Sequence, residues 1–189
     1  MINAKIVETN LKFGDLSKRN STDKIVIHHT GSVTDVDFSA AKIHEFHKSN
    51  GWAGIGYHFV IRKDGTIERG RPVWAVGSHA QGHNSNSIGI HLCGDFNAAK
   101  PTGQQIESTA LLIANLSADY NIPLDRKHII GHDECYNPKT DGAGCPGRNL
   151  QSQLDTISGK ANWYRYNSPD VIDKPADKKV CPTCGKPLD

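Results

Sequence analysis

The alternation of apolar and polar positions divides the chain into short strands separated by helices and loops. Residues 1–23 are polar and irregular and read as a surface lead-in. Lys24-Ile25-Val26-Ile27-His28-His29 is a short, β-branched apolar run, the pattern of a buried strand, ended by Gly31 and the polar residues after it. Phe38 to Lys48 reads as a helix: Phe38 and Ala41 are three apart, Ile43 joins Phe46 and His47 on one face, and Asn50-Gly51 stops it. Ile55 to Lys63 is predicted as a second strand, and Asp64-Gly65 is a hairpin turn signal leading into Thr66-Ile67-Glu68. Ser87 to Cys93 is a third apolar run. Thr102 and Gln105 form a capping box that opens a helix running to about Tyr120, with Ile106, Ala110, Ile113 and Leu116 facing inward and Asn121 and Pro123 ending it. His128 to Gly131 is a short strand, a Gly-rich loop with two cysteines fills 132–149, and Gln151 to Trp163 is a final helix. Strands and helices intermix, which places the chain in the α/β (α+β) class, one mixed central β-sheet flanked by helices.

At 189 residues the chain fits one domain with an appendage. The expected division is a lead-in over 1–19, a catalytic domain over 20–165, a linker over 166–178 where Asn, Pro, Asp and Lys take over, and a tail over 179–189. A net charge of +2 is too small to argue for a nucleic-acid partner. The N-terminal residues Met1-Ile2-Asn3-Ala4-Lys5 lack the apolar stretch of a signal peptide, and no window approaches a membrane helix. The expectation is synthesis in the cytoplasm, with no membrane insertion. Five cysteines in such a chain favour free thiols and metal ligands over a disulfide framework.

Ten histidines prompt a sorting by position. His28-His29 ends one strand and His132 follows another; side chains alternate across a strand, so only one of His28 and His29 faces a given site. Cys145 lies in the loop after His132. Two imidazoles and one anionic ligand leave a fourth tetrahedral position for water, the catalytic zinc arrangement, in which the ion acidifies that water and polarises a carbonyl. The spacing alone leaves open the other reading, histidines that simply cap strands.

Four blocks carry a family resemblance. Ile25-Val26-Ile27-His28-His29-Thr30, Gly54-Ile55-Gly56-Tyr57-His58-Phe59-Val60-Ile61, Gly77-Ser78-His79-Ala80-Gln81-Gly82-His83-Asn84 with Ser87-Ile88-Gly89-Ile90, and Gly131-His132-Asp133 with Cys145-Pro146-Gly147 follow in the right order. Together they resemble the type 2 N-acetylmuramoyl-L-alanine amidases and peptidoglycan recognition proteins. The resemblance implies one catalytic Zn2+ held by His28, His132 and Cys145, with His29 facing the core. It implies a catalytic role for Tyr57, whose hydroxyl would orient the attacking water or donate to the developing oxyanion, and a substrate groove lined by His79 and Asn84. It implies peptidoglycan as substrate and hydrolysis of the amide between N-acetylmuramic acid and L-alanine.

The closing loop departs from the pattern. In much of the family the thiolate follows the second histidine by eight residues, with Lys or Thr two positions before it. Here Cys145 follows His132 by thirteen, and Ala143 stands two before it. Lys139-Thr140-Asp141 resembles the closing of the aspartate-ligand branch, so Asp141 is the alternative third ligand, and Lys139 is the candidate for oxyanion stabilisation. Cys93 reads as an inert core thiol, Cys135 as a loop residue, His44 and His47 as a solvated helix face, and Trp52 and Trp74 as core fillers that could instead flank the cleft. Cys181-x-x-Cys184 is half a zinc ribbon, a candidate for self-association. The expected protein is an endolysin that acts on the wall after release; a cytoplasmic recycling amidase, a non-catalytic peptidoglycan-binding module and a zinc-ribbon nucleic-acid binder are the rivals.

Overall fold

The computed structural model describes residues 3–31 and 36–167. Six strands build one mixed sheet: β1 Ile6–Val7, β2 Lys24–His29, β3 Phe59–Ile61, β4 Ile67–Arg69, β5 Ser87–Leu92 and β6 Ile129–Gly131. Their order is β1-β4-β3-β5-β2-β6. The pairing of β3 with β4 is antiparallel, across the turn at Asp64-Gly65, and the other pairings are parallel. The helices are α1 Ala40–Ser49, α2 Gly103–Tyr120, α3 Arg148–Gln151 and α4 Leu154–Asn167.

The central strands are apolar throughout because both faces are covered. Ile25 and Ile27 of β2, Ile88, Ile90 and Leu92 of β5 and Ile129 of β6 join Ile106, Ala110, Ile113, Leu154 and Ile157 of α2 and α4 in the main core. Val26 and Ile130 face the other way, against Ala80. Each fully buried aliphatic side chain is worth about 1.5–3 kcal/mol, so the register of β2 is strongly fixed. That register decides the chemistry: His28 shares the parity of Val26, His29 that of Ile27, and His132 continues the parity of Ile130 beyond β6.

The helix starts follow their caps. Thr102 Oγ1 accepts from Gln105 N–H at 3.0 Å while Gln105 Oε1 accepts from Thr102 N–H at 3.0 Å, and Asn121 closes α2 in the left-handed region at φ 55°. Ser39 caps α1.

Several expectations need correction. The lead-in is part of the sheet: β1 pairs with β4, Ala4 and Ile6 pack on the core, and Arg19 is buried, donating to the carbonyls of Val73, Ala75 and Ser87. A two-residue strand is too short for period-2 patterning to reveal. The strand expected over Ile55–Lys63 is regular only at 59–61, because the N–H groups of Ile55 and Gly56 donate to the rings of His44 and His47. Those two histidines are therefore buried, not a solvated face, while Phe46 on the flank of the stripe is 62% exposed. α4 continues to Asn167, past the expected start of the linker. The rest of that linker and the Cys181–Cys184 tail, with its suggested self-association, lie outside the described residues.

Candidate metal centre and cleft

Strand parity brings His28 to the open end of β2, and the single-turn 3-10 helix His132–Cys135 presents His132 beside it. That turn is clamped from behind. Glu134 accepts Gly131 N–H at 2.6 Å and pairs both carboxylate oxygens with Arg126 Nη2 at 2.7 and 2.6 Å. Cys145 arrives from the loop: its carbonyl accepts from Asp133 N–H at 2.8 Å, and the preceding Gly144 N–H donates to Asp133 Oδ2 at 2.9 Å. His29, on the opposite side of β2, contacts the Gly144 carbonyl through Nε2 at 3.0 Å and accepts Phe96 N–H at Nδ1. The second histidine of the pair is thus a core residue that fixes the loop.

The result is a group of three ligand atoms, one each from His28, His132 and Cys145, all within 4.8 Å of one another. Cys145 Sγ lies 3.7 Å from His28 Nδ1, and the rings of His28 and His132 are 4.6 Å apart. Burial, then the neighbouring imidazoles of His79 and His132, hold His28 well below the usual histidine range, and burial lowers His132 as well. Both rings are therefore neutral, the form that binds a metal. Burial pushes the Cys145 thiol up to about 12. A buried thiol beside two neutral imidazoles is a soft, charge-poor donor set that suits a borderline-soft divalent ion such as zinc. Asp141 is elsewhere: it is exposed, its carboxylate paired with Arg148 Nε at 2.7 Å.

Beside this group opens a cavity of about 550 Å³ whose lining includes Trp52, Tyr57, His79, Asn84, His132 and Tyr136. Tyr57 is not in a strand but in the extended segment before β3, with its ring 5.0 Å from that of His28. Burial raises its phenol, so the hydroxyl stays protonated. A smaller, mainly apolar groove of about 260 Å³, bounded by Phe38, Ile43, Phe46 and His91, meets the cavity at Tyr57. Asn84 Oδ1 accepts from the N–H groups of His79 and Ala80 at 2.8 and 2.9 Å, so it shapes the loop that lines the cleft. Lys139 is exposed and does not line the cavity. Trp52 and Trp74 are not core fillers: they are 44% and 53% exposed, and Trp52 stands at the cleft. Cys93 is fully buried with Sγ 3.0 Å from the Phe38 carbonyl. Cys135 packs beside Val26 and Ile130.

Sequence reasoning missed Tyr136 and the Arg126–Glu134 clamp. Tyr136 is exposed, stands edge-on to His132 at 5.5 Å, and donates its hydroxyl to the Gln81 carbonyl at 3.1 Å, tying the two loops that bound the cavity. The available signal was an aromatic in a polar loop four residues after a candidate ligand.

A mixed sheet with this cleft at its strand ends is the architecture of peptidoglycan amidases and peptidoglycan recognition proteins. The chain belongs to the N-acetylmuramoyl-L-alanine amidase family, whose model matches residues 18–148. It is an enzyme of that amidase class. It is 37% identical over 161 residues to the endolysin of Enterobacteria phage T3, covering 82% of this chain and 94% of that one. Among solved structures it resembles the N-acetylmuramoyl-L-alanine amidase LysC from Clostridium intestinale URNW, with a TM-score of 0.72 and 43% identity over 84% of this chain and 97% of that one. Drosophila PGRP-LB superposes with a TM-score of 0.69 at 25% identity, covering 82% and 94% of the two chains.

Proposed function

We propose that this chain is a zinc-dependent endolysin that hydrolyses the amide joining N-acetylmuramic acid to L-alanine. The observation that carries the reading is the convergence of His28, His132 and Cys145 on one point beside an open cleft. Three protein ligands with a fourth position left open are the pattern of a catalytic rather than a structural zinc. When bound, the ion supplies Lewis acidity and a water of lowered pKa.

The chain's own residues do the rest. His28, His132 and Cys145 hold the ion. Tyr57, kept protonated by burial, donates its hydroxyl proton in a hydrogen bond to the amide oxygen as negative charge gathers there. Asn84, through the loop it fastens, and His79 form one wall of the groove. Lys139 is given no part in the reaction, because the loop carries it on the exposed side. Peptidoglycan as the substrate is supported by relatives: peptidoglycan recognition protein LE was solved with tracheal cytotoxin, a monomeric diaminopimelic acid-type peptidoglycan. Action on the wall after release is supported by the phage endolysin relatives. Among the described residues no helix is long and apolar enough to cross a membrane.

The test is chemical. Incubated with purified sacculi, the protein should release peptides with new N-terminal alanine amines and create no new reducing sugar ends. A chelator should stop the release, and added zinc should restore it. Binding to sacculi without release would establish the recognition-module reading instead.

A further inference from the structure

His28 has two ring nitrogens, and the structure gives each a different neighbour. Nδ1 faces Cys145 Sγ at 3.7 Å, and Nε2 faces His79 Nδ1 at 3.0 Å. A ligand nitrogen offers its lone pair, so in a neutral imidazole the proton must sit on the other nitrogen. His28 is 1% exposed, and water is not at hand to receive that proton in a hydrogen bond.

We propose that His79 is a positioning residue for the metal centre, accepting the Nε2–H of His28 at its own Nδ1 and thereby fixing the tautomer that leaves Nδ1 of His28 free for the ion. The inference rests on the metal reading above and assigns His79 a task other than contact with substrate. The hydrogen bonds then run consistently in one direction. With its Nδ1 accepting, neutral His79 carries its proton on Nε2, which faces Ser87 Oγ at 3.5 Å, and Ser87 in turn donates to the His83 carbonyl at 2.6 Å. Each of the two rings thus has one donating and one accepting nitrogen, and neither has to be charged.

The ring of His79 also sits in a slot built for it. A Cβ on Gly89, in the middle of β5, would lie 2.6 Å from the ring, and one on Gly77 would lie 2.4 Å from it. Both glycines are therefore required by the place the ring occupies, and the ring of His58 packs edge-on behind it at 5.6 Å. Asn84 fixes the His79 backbone from the other side. Side chains that orient a metal-bound histidine typically change metal affinity or activity by roughly 10–100-fold when removed.

The experiment compares the intact chain with His79→Leu, His79→Asn and Gly89→Ala. Zinc affinity is read by competition with a chromophoric chelator, stoichiometry by elemental analysis, folding by circular dichroism, and the His28 tautomer by long-range 1H–15N NMR of the zinc-loaded protein. The expected results are one zinc per chain throughout, affinity lowered roughly 10–100-fold in His79→Leu, a smaller loss in Gly89→Ala, and recovery in His79→Asn, whose amide oxygen can replace the accepting nitrogen. The His28 proton should be on Nε2. Unchanged affinity in His79→Leu overturns the proposal, and so does complete loss of zinc from a folded His79→Leu, which would make His79 a ligand. Should His79→Leu fail to fold, the tautomer in the intact protein decides: a proton on Nδ1 of His28 overturns the idea. An intact chain that binds no zinc at all would instead sink the functional reading on which the inference stands.

Discussion

His28 and His132 stand where buried strands end, whereas Cys145 is carried on a loop that is exposed from Tyr136 to Lys139. The two histidines inherit their positions from the core: Val26 and Ile130, two residues before each, are packed in the sheet. The cysteine depends on a few hydrogen bonds, chiefly Asp133 to the backbone of Gly144 and Cys145 and His29 to Gly144. Two ligands therefore come preset by folding, while the third is held by local polar contacts. The sheet half should respond to whatever disturbs its buried imidazoles, and the loop half to loss of individual hydrogen bonds.

Acid should produce the largest effect, and on the sheet half. Burial lowers His58 to about 3 and His47 to about 4. In the unfolded chain both take up protons near 6.5, so the stability that depends on their staying neutral is intact above that pH and is lost as pH falls towards 3–4. At pH 5 each costs about 2 kcal/mol. Urea unfolding of the metal-free protein at pH 7 and pH 5 should show a fall of about 4 kcal/mol; equal stabilities would remove this account of the buried histidines.

Next comes Tyr57→Phe, which removes one hydroxyl from a rigid segment. Loss of a single oxyanion donor costs about 10²–10³ in kcat, and zinc content should stay at that of the unaltered protein. Full activity in the variant would take Tyr57 out of the chemistry. His29→Leu should act on the loop half alone, lowering stability by about 1–3 kcal/mol because buried donors and acceptors lose their partner. Hydrogen exchange should rise at Gly144 and Phe96, and unchanged protection there would show that the loop is held by other means. The smallest effects belong to the exposed side chains of that loop. Lys139→Ala should change kcat less than about threefold, within the roughly 0.5 kcal/mol usual for substitutions remote from special features. A hundredfold loss would mean that Lys139 swings over the cleft.

The same division explains what could be read from the chain. Strands β2 and β5, the capping box of α2 and the turn at Asp64-Gly65 were legible because local patterning and burial agree there. So was the separation of His28 from His29, which needs only alternation. The burial of His44 and His47 was not, since nothing local shows that the chain at Ile55 and Gly56 will offer its N–H groups to their rings. Strand β1 escaped notice because two residues hold no period. In the loop, Cys145 and Asp141 looked interchangeable by spacing; the difference lies in Arg148, which pairs with Asp141 and holds it at the surface. That contact is tertiary and has no periodic signature.

The central claim is that one ion is held at one point by His28, His132 and Cys145. Elemental analysis of the purified chain alongside Cys145→Ser and Asp141→Asn tests it most directly. The account predicts one zinc per chain in the unaltered protein and in Asp141→Asn, and zinc strongly depleted in Cys145→Ser. Depletion in Asp141→Asn with zinc retained in Cys145→Ser would contradict it.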